Sequence, residues 1–203
     1  MKKRLLLVAL CAGFLASSPV FAMDLDVVEG NFDPLVGVTS YALELKFDGM
    51  IVKKQPEADY TSKKVADYNA KEAGKGDKFL TSWKYGKSTI YPESFELLFN
   101  KTLEEYKVVI SKNGAKYKII VNTTMMEPGW NVGIMRAAAV INADISIVET
   151  KNPSKVIVKL KAVKVPGRDA GGFDYDESVR VRESYAKLAK EIAKMLEDEV
   201  YDK

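Results

Sequence analysis

The chain has 203 residues, 47% of them hydrophobic and 29% charged, with a formal charge of +3, one cysteine and no histidine. That length fits one ordinary domain with a real core, and the composition excludes wholesale disorder and a multi-span membrane protein. Without histidine there is no Ser-His-Asp or Cys-His catalysis, and with a single thiol zinc is left almost without ligands.

Met1-Lys2-Lys3-Arg4 is a positive leader, residues 5–16 form an unbroken small or apolar run, and Ser17-Ser18-Pro19 ends it. Val20-Phe21-Ala22 then places small residues where a signal peptidase reads. This is the three-part pattern of a secretory signal, with cleavage predicted after Ala22 and a periplasmic or secreted destination. The run is shorter than the roughly 20 residues a spanning helix needs. Lipid attachment at Cys11 is not expected, because Leu10 precedes it and it lies inside the apolar run. Lys2, Lys3 and Arg4 account for the whole excess charge, so the mature chain carries 28 basic and 28 acidic residues. Nothing there favours a polyanion, and no nucleic-acid partner is expected.

The remaining residues, 23–203, read as one α+β domain. Residues 23–39 carry Gly30, Pro34 and Gly37 as breakers and read as an irregular lead-in. Tyr41, Leu43, Leu45 and Phe47 alternate with polar or small residues, the period of a half-buried strand, and Gly49 reads as a bulge within it. Residues 54–91 are lysine-rich and hold Tyr60, Tyr68, Phe79, Trp83, Tyr85 and Tyr91. They read as an irregular insertion, with a polar helix an option over 61–73. Pro92 begins a helix through Tyr106, with Phe95, Leu98, Phe99 and Leu103 on one face.

Residues 108–110 and 117–121 are short strands, and Asn113-Gly114 between them predicts a hairpin. Residues 137–148 form the strongest strand, with Ala137, Ala139, Ile141, Ala143, Ile145 and Ile147 inward and Asn142, Asp144 and Ser146 outward. Asn152-Pro153 turns the chain into a strand over 155–165, whose phase shifts near Ala162 and Val163. A long helix over 177–200 carries the stripe Val181, Tyr185, Leu188, Ala189, Ile192 and Leu196, with an acidic cap from Asp174 to Glu177. The expected architecture is an antiparallel sheet of about four to five strands with two helices packed on one face.

Two glycine-bearing loops stand out, residues 127–133 and 166–173. The first precedes the 137–148 strand and the second follows its hairpin partner, so both fall at one sheet edge. They would gather Trp130, Asn131, Arg168, Asp169 and Phe173, a tryptophan and an arginine suited to a contact surface. The competing reading has Trp130 plugging the open end of the core. Neither loop is a phosphate loop. Asp169, Asp174, Asp176 and Glu177 lack the glycine a calcium loop needs and suit a helix start instead, so no metal is expected. Ser184-Tyr185-Ala186-Lys187 spells the Ser-x-x-Lys of penicillin-binding enzymes but lacks its companion motifs. No cofactor is expected. The aromatic segment 54–91 is open to glycan or protein contact, or simply anchors a long loop.

Glu127-Pro128-Gly129-Trp130-Asn131-Val132-Gly133, Asn152-Pro153-Ser154-Lys155-Val156, Val165-Pro166-Gly167-Arg168-Asp169 and Glu183-Ser184-Tyr185-Ala186 together resemble uncharacterised exported proteins of Gram-negative bacteria. More distantly, the element order is similar to periplasmic domains of the Tol-system beta-propeller protein and the curli-secretion lipoprotein. These resemblances imply envelope interaction rather than catalysis and transfer no site residue. The sequence therefore leads to an exported, non-catalytic envelope domain that contacts a protein or envelope component through the Trp130 and Arg168 edge. A small-molecule or glycan binder at the same edge, with the aromatic segment as a flap, is the alternative.

Overall fold

A computed structural model describes residues 23–111, 114–132, 135–167 and 177–202. In chain order the strands and helices are β1 (Asp24–Gly30), β2 (Ser40–Lys46), β3 (Ile51–Val52), β4 (Gln55–Pro56), α1 (Glu57–Lys71), α2 (Lys75–Tyr85) and α3 (Tyr91–Thr102). There follow β5 (Val109–Ile110), β6 (Tyr117–Glu127), β7 (Trp130–Val132), β8 (Met135–Ala137), β9 (Ala139–Glu149), β10 (Asn152–Gly167) and α4 (Glu177–Leu196). A π-helical turn, Gly86–Ile90, joins α2 to α3, and another, Glu197–Tyr201, extends α4.

The fold is α+β, but the expected sheet of four to five antiparallel strands with two helices is too small and too simple. Among the described residues an eight-stranded mixed sheet runs β1-β10-β9-β6-β2-β5, with β3 also paired to β6 and β4 paired to β3, and β7 and β8 form a separate two-stranded sheet. Three helical stretches replace two: α1, the continuous run from α2 through α3, and α4.

Each correction has a local cause. β1 is an edge strand whose acidic residues Asp24, Asp26 and Glu29 mute its apolar signal, yet it pairs antiparallel with β10. The predicted hairpin at Asn113-Gly114 does not form: β5 and β6 each pair parallel with β2, which lies between them. β3 resumes the line of β2 along β6 after a turn at Gly49. Asn122 spans that interruption, its Oδ1 accepting the Asp48 backbone N–H at 3.0 Å. The 54–91 segment is not irregular but almost wholly helical. Glu57 and Asp59 in the first turn of α1 and Lys71 in the last suit the helix dipole.

Other expectations hold. β9 and β10 form the antiparallel hairpin, and the register shifts between Ala162 and Val165, at the phase change near Ala162 and Val163. All six stripe residues of α4 are fully buried. Ile119, Val121, Ile141, Ile145, Ile147 and Leu160 face the helical layer and are buried, while Asp144 and Lys161, paired across β9 and β10, are exposed on the far side. The core thus lies between the sheet and α3 with α4, with Tyr91 stacked on Tyr185 at 4.8 Å between centroids. Tyr185 shares a 2.6 Å hydroxyl–hydroxyl hydrogen bond with Thr123 on β6, so the buried polar tip is satisfied. Among the described residues no helix is long and apolar enough to cross a membrane.

Candidate functional site

The edge predicted from sequence is real in its described parts. Glu127 at the end of β6 pairs with Val140 on β9, and Pro166 near the end of β10 pairs with the same residue, so the two loops do leave one sheet end. Trp130 and Asn131 stand on the short β7–β8 hairpin, with Trp130 opposite Ala137 and Asn131 opposite Arg136. Trp130 is 41% exposed and is not part of the buried core, which disposes of the plug reading. Arg168, Asp169 and Phe173, like Asp174 and Asp176 of the proposed cap, lie outside the described residues.

The hairpin is fastened from both sides. Gly129 has φ +68°, and a Cβ there would fall 2.3 Å from the Ala137 carbonyl oxygen, so glycine alone fits the turn. Arg180, buried in the first turn of α4, donates from Nε to the Pro128 carbonyl at 2.9 Å. Ser184, the serine of the Ser-x-x-Lys match, is fully buried beneath this end of α4 and cannot meet a substrate.

A second feature of α4 was not anticipated. In the same first turn as Arg180, Glu177 and Ser178 border a cavity of about 340 Å³, whose other walls are Tyr68 on α1, Lys75, Lys78, Phe79, Ser82 and Trp83 on α2, and Tyr91 at the start of α3. Helical spacing builds it. Tyr60, Lys64 and Tyr68 recur every fourth residue along α1, and Phe79 and Trp83 do so on α2, so each helix turns one stripe to the other. Gly76 brings the helices close, since a Cβ there would sit 2.3 Å from the Val65 carbonyl oxygen, and its N–H is taken by Asn69 Oδ1 at 2.7 Å. Phe79 packs against Tyr60, Tyr68 and Trp83 at centroid distances of 6.5, 5.4 and 5.9 Å. The π-helical turn then rotates the chain so that Trp83 and Tyr91, eight residues apart, wall the same space.

Charge is placed around these rings in two pairs. Lys64 Nζ lies 5.1 Å from the Tyr68 centroid and 5.7 Å from that of Tyr60, and 3.2 Å from Glu177 Oε1. Burial works against its charge, but the Glu177 carboxylate and the Tyr68 hydroxyl prevail and hold its pKa above the usual lysine value. The Tyr60 hydroxyl donates to both oxygens of Glu177, at 3.3 and 3.2 Å, and burial followed by that carboxylate pushes its pKa up. Below them Glu57 Oε1 accepts the Trp83 indole N–H at 2.6 Å and the Lys87 ammonium at 2.5 Å. Among the described residues no group of three or more Asp, Glu, Cys or His side chains is placed to hold a metal ion. The sequence did carry the signal for this site in the two fourth-residue stripes, but the segment's polarity and glycines masked it.

No family model matches the chain, and no curated protein sequence does. Among solved structures it is similar to the PelC dodecamer from Paraburkholderia phytofirmans, with 12% identity over 83% of this chain and 96% of that one, at a TM-score of 0.39. A variant of that dodecamer gives 10% identity over 83% and 98%, at 0.34. A Xanthomonas campestris protein of the DUF330 family gives 10% over 82% and 89%, at 0.30. These comparisons show no Tol-system or curli-secretion link.

Proposed function

We propose that this chain is an exported, non-catalytic binding domain that takes a small ring-bearing ligand, a sugar or another small molecule, in the cavity between α2 and the start of α4. The observation that carries the reading is that cavity of about 340 Å³ with four aromatic walls. Its size sits at the small end of ligand pockets, enough for one or two rings, and aromatic faces with a few polar groups are the usual lining of such sites. The export part rests on the charged, apolar and small-residue pattern of residues 1–22. The buried Ser184 and the absence of histidine speak for binding over acyl transfer.

A panel of mono- and disaccharides and small aromatic compounds, titrated by calorimetry, tests the reading. Saturable binding is expected for at least one member, lost in Ser82→Trp, which fills the cavity from α2, at unchanged melting temperature. If no member binds, the cavity is not a ligand site.

A second reading has its own observation. Trp130 is exposed on a hairpin that Arg180 and Gly129 hold in place, a ready contact for a protein or envelope component. Capture of a purified envelope partner that is lost with Trp130→Ala, with the cavity titration unchanged, would assign the contact to the hairpin.

A further inference from the structure

Resting on the binding reading above, we propose that the ligand is an anionic ring: a flat sugar or aromatic ring against Phe79 and Trp83, with its carboxylate at Lys75 and Lys78. The two lysines are three residues apart on α2, hence on one face, and both border the cavity. Both are exposed, so their ammonium groups stand at its rim rather than in its depth.

The charge balance around the cavity is uneven. Among the described residues Glu177 is the one acidic wall residue, and its carboxylate is already engaged by the Lys64 ammonium and the Tyr60 hydroxyl. Lys75 lies 3.3 Å from Glu72, but both side chains are more than half exposed, and such pairs are weak and yield to a better partner. Lys78 has no carboxylate partner among the described residues. Among the described residues, what remains is a positive rim, with Lys75 held only by an exposed pair and Lys78 by none, over an apolar, aromatic interior. A neutral ring would satisfy the interior alone. A ring bearing a carboxylate satisfies both, with charge-assisted hydrogen bonds at the rim. The inward Glu177 disfavours a second negative group at depth, so the anionic substituent belongs at one end of the ligand.

The same chemistry comes from two sources, a uronic acid and an aromatic carboxylate, and paired probes separate them. Glucuronate is titrated against glucose, and 2-naphthoate against 2-naphthol, by calorimetry at low and raised salt. The expected result is that the anionic member of at least one pair binds about tenfold tighter, as one charge-assisted hydrogen bond supplies. The pair that shows the preference names the source. Lys75→Gln with Lys78→Gln should remove that preference at unchanged melting temperature, and raised salt should weaken the anionic probe alone. If the neutral member binds equally well, or the double variant keeps the preference, the anionic assignment is wrong while the cavity remains a ligand site. If no probe of either kind binds, both fall together.

Discussion

Glu57 and Trp83, 26 residues apart, are joined by a 2.6 Å hydrogen bond from the indole N–H to the carboxylate that opens α1. The bond ties the start of one helix to the last turn of the next. The same oxygen also takes the Lys87 ammonium, whose other side lies 4.8 Å from the Phe47 ring centroid. Trp83, a cavity wall, is therefore oriented by a group outside the cavity.

Replacing Glu57 by Ala strands a buried indole N–H and a half-buried ammonium. A loss of about 1–3 kcal/mol of stability is expected, the usual cost of an unmet buried donor. Glu57→Gln keeps an acceptor and should lose less. Urea unfolding followed by tryptophan fluorescence measures both, and equal midpoints for wild type and Glu57→Ala would show that the bond does not hold the helices together.

Leu188 is fully buried in the α4 stripe. Leu188→Ala removes three heavy atoms from the layer between α4 and the sheet, and should cost about 2–5 kcal/mol. An unchanged denaturation midpoint would contradict the docking of α4.

Gly129→Ala meets two obstacles at once: a positive φ, and a carbonyl oxygen 2.3 Å from where the new methyl would lie. The backbone term alone is about 1–3 kcal/mol. The expected outcome is a lower melting temperature together with faster amide exchange at Trp130 and Asn131, the hairpin that this turn aims. Exchange unaltered from wild type would mean that the turn relaxes without moving the hairpin.

Several buried tyrosines set the alkaline limit. Burial raises the pKa of Tyr41, helped by its 3.1 Å hydrogen bond with Tyr201, and burial likewise raises those of Tyr60 and Tyr185. In the unfolded chain a tyrosine ionises near pH 10. Above that pH the folded state binds more protons than the unfolded one, so stability is full below about pH 10 and is lost as pH rises further. Tyr41→Phe should flatten that decline. Tyr201 keeps its 2.7 Å hydrogen bond to the Val38 carbonyl, so the substitution leaves no unmet hydroxyl there. Chemical denaturation between pH 8 and pH 11 checks the sign, and a midpoint that climbs over that range would refute it.

Local periodicity marks several of the elements. The α4 stripe, the β9–β10 hairpin with its register shift, and the helix after Pro92 were legible because each one's apolar residues repeat at the period of its own backbone. Asn113-Gly114 misled for the complementary reason. A turn motif reports what its own residues tolerate, whereas the choice of partner strand is decided by side-chain packing across the whole sheet, between residues far apart in the chain. β2 takes both read strands as parallel neighbours, β6 on one side and the two-residue β5 on the other. β1 was hidden by the charges that protect an exposed edge.

The site divides in the same way. By itself the sequence determined a chain without histidine, with one cysteine inside a signal-like leader, and with a tryptophan loop placed at a sheet end by hairpin connectivity. Tertiary structure alone decided that Trp130 faces solvent, that Arg180 holds its turn, and that α1 and α2 fold their fourth-residue aromatics onto the start of α4. A cavity belongs to no segment. Its walls come from residues 68 to 178, and only the close approach of α1 and α2 at Gly76, the turn between α2 and α3, and the docking of α4 bring them to one space.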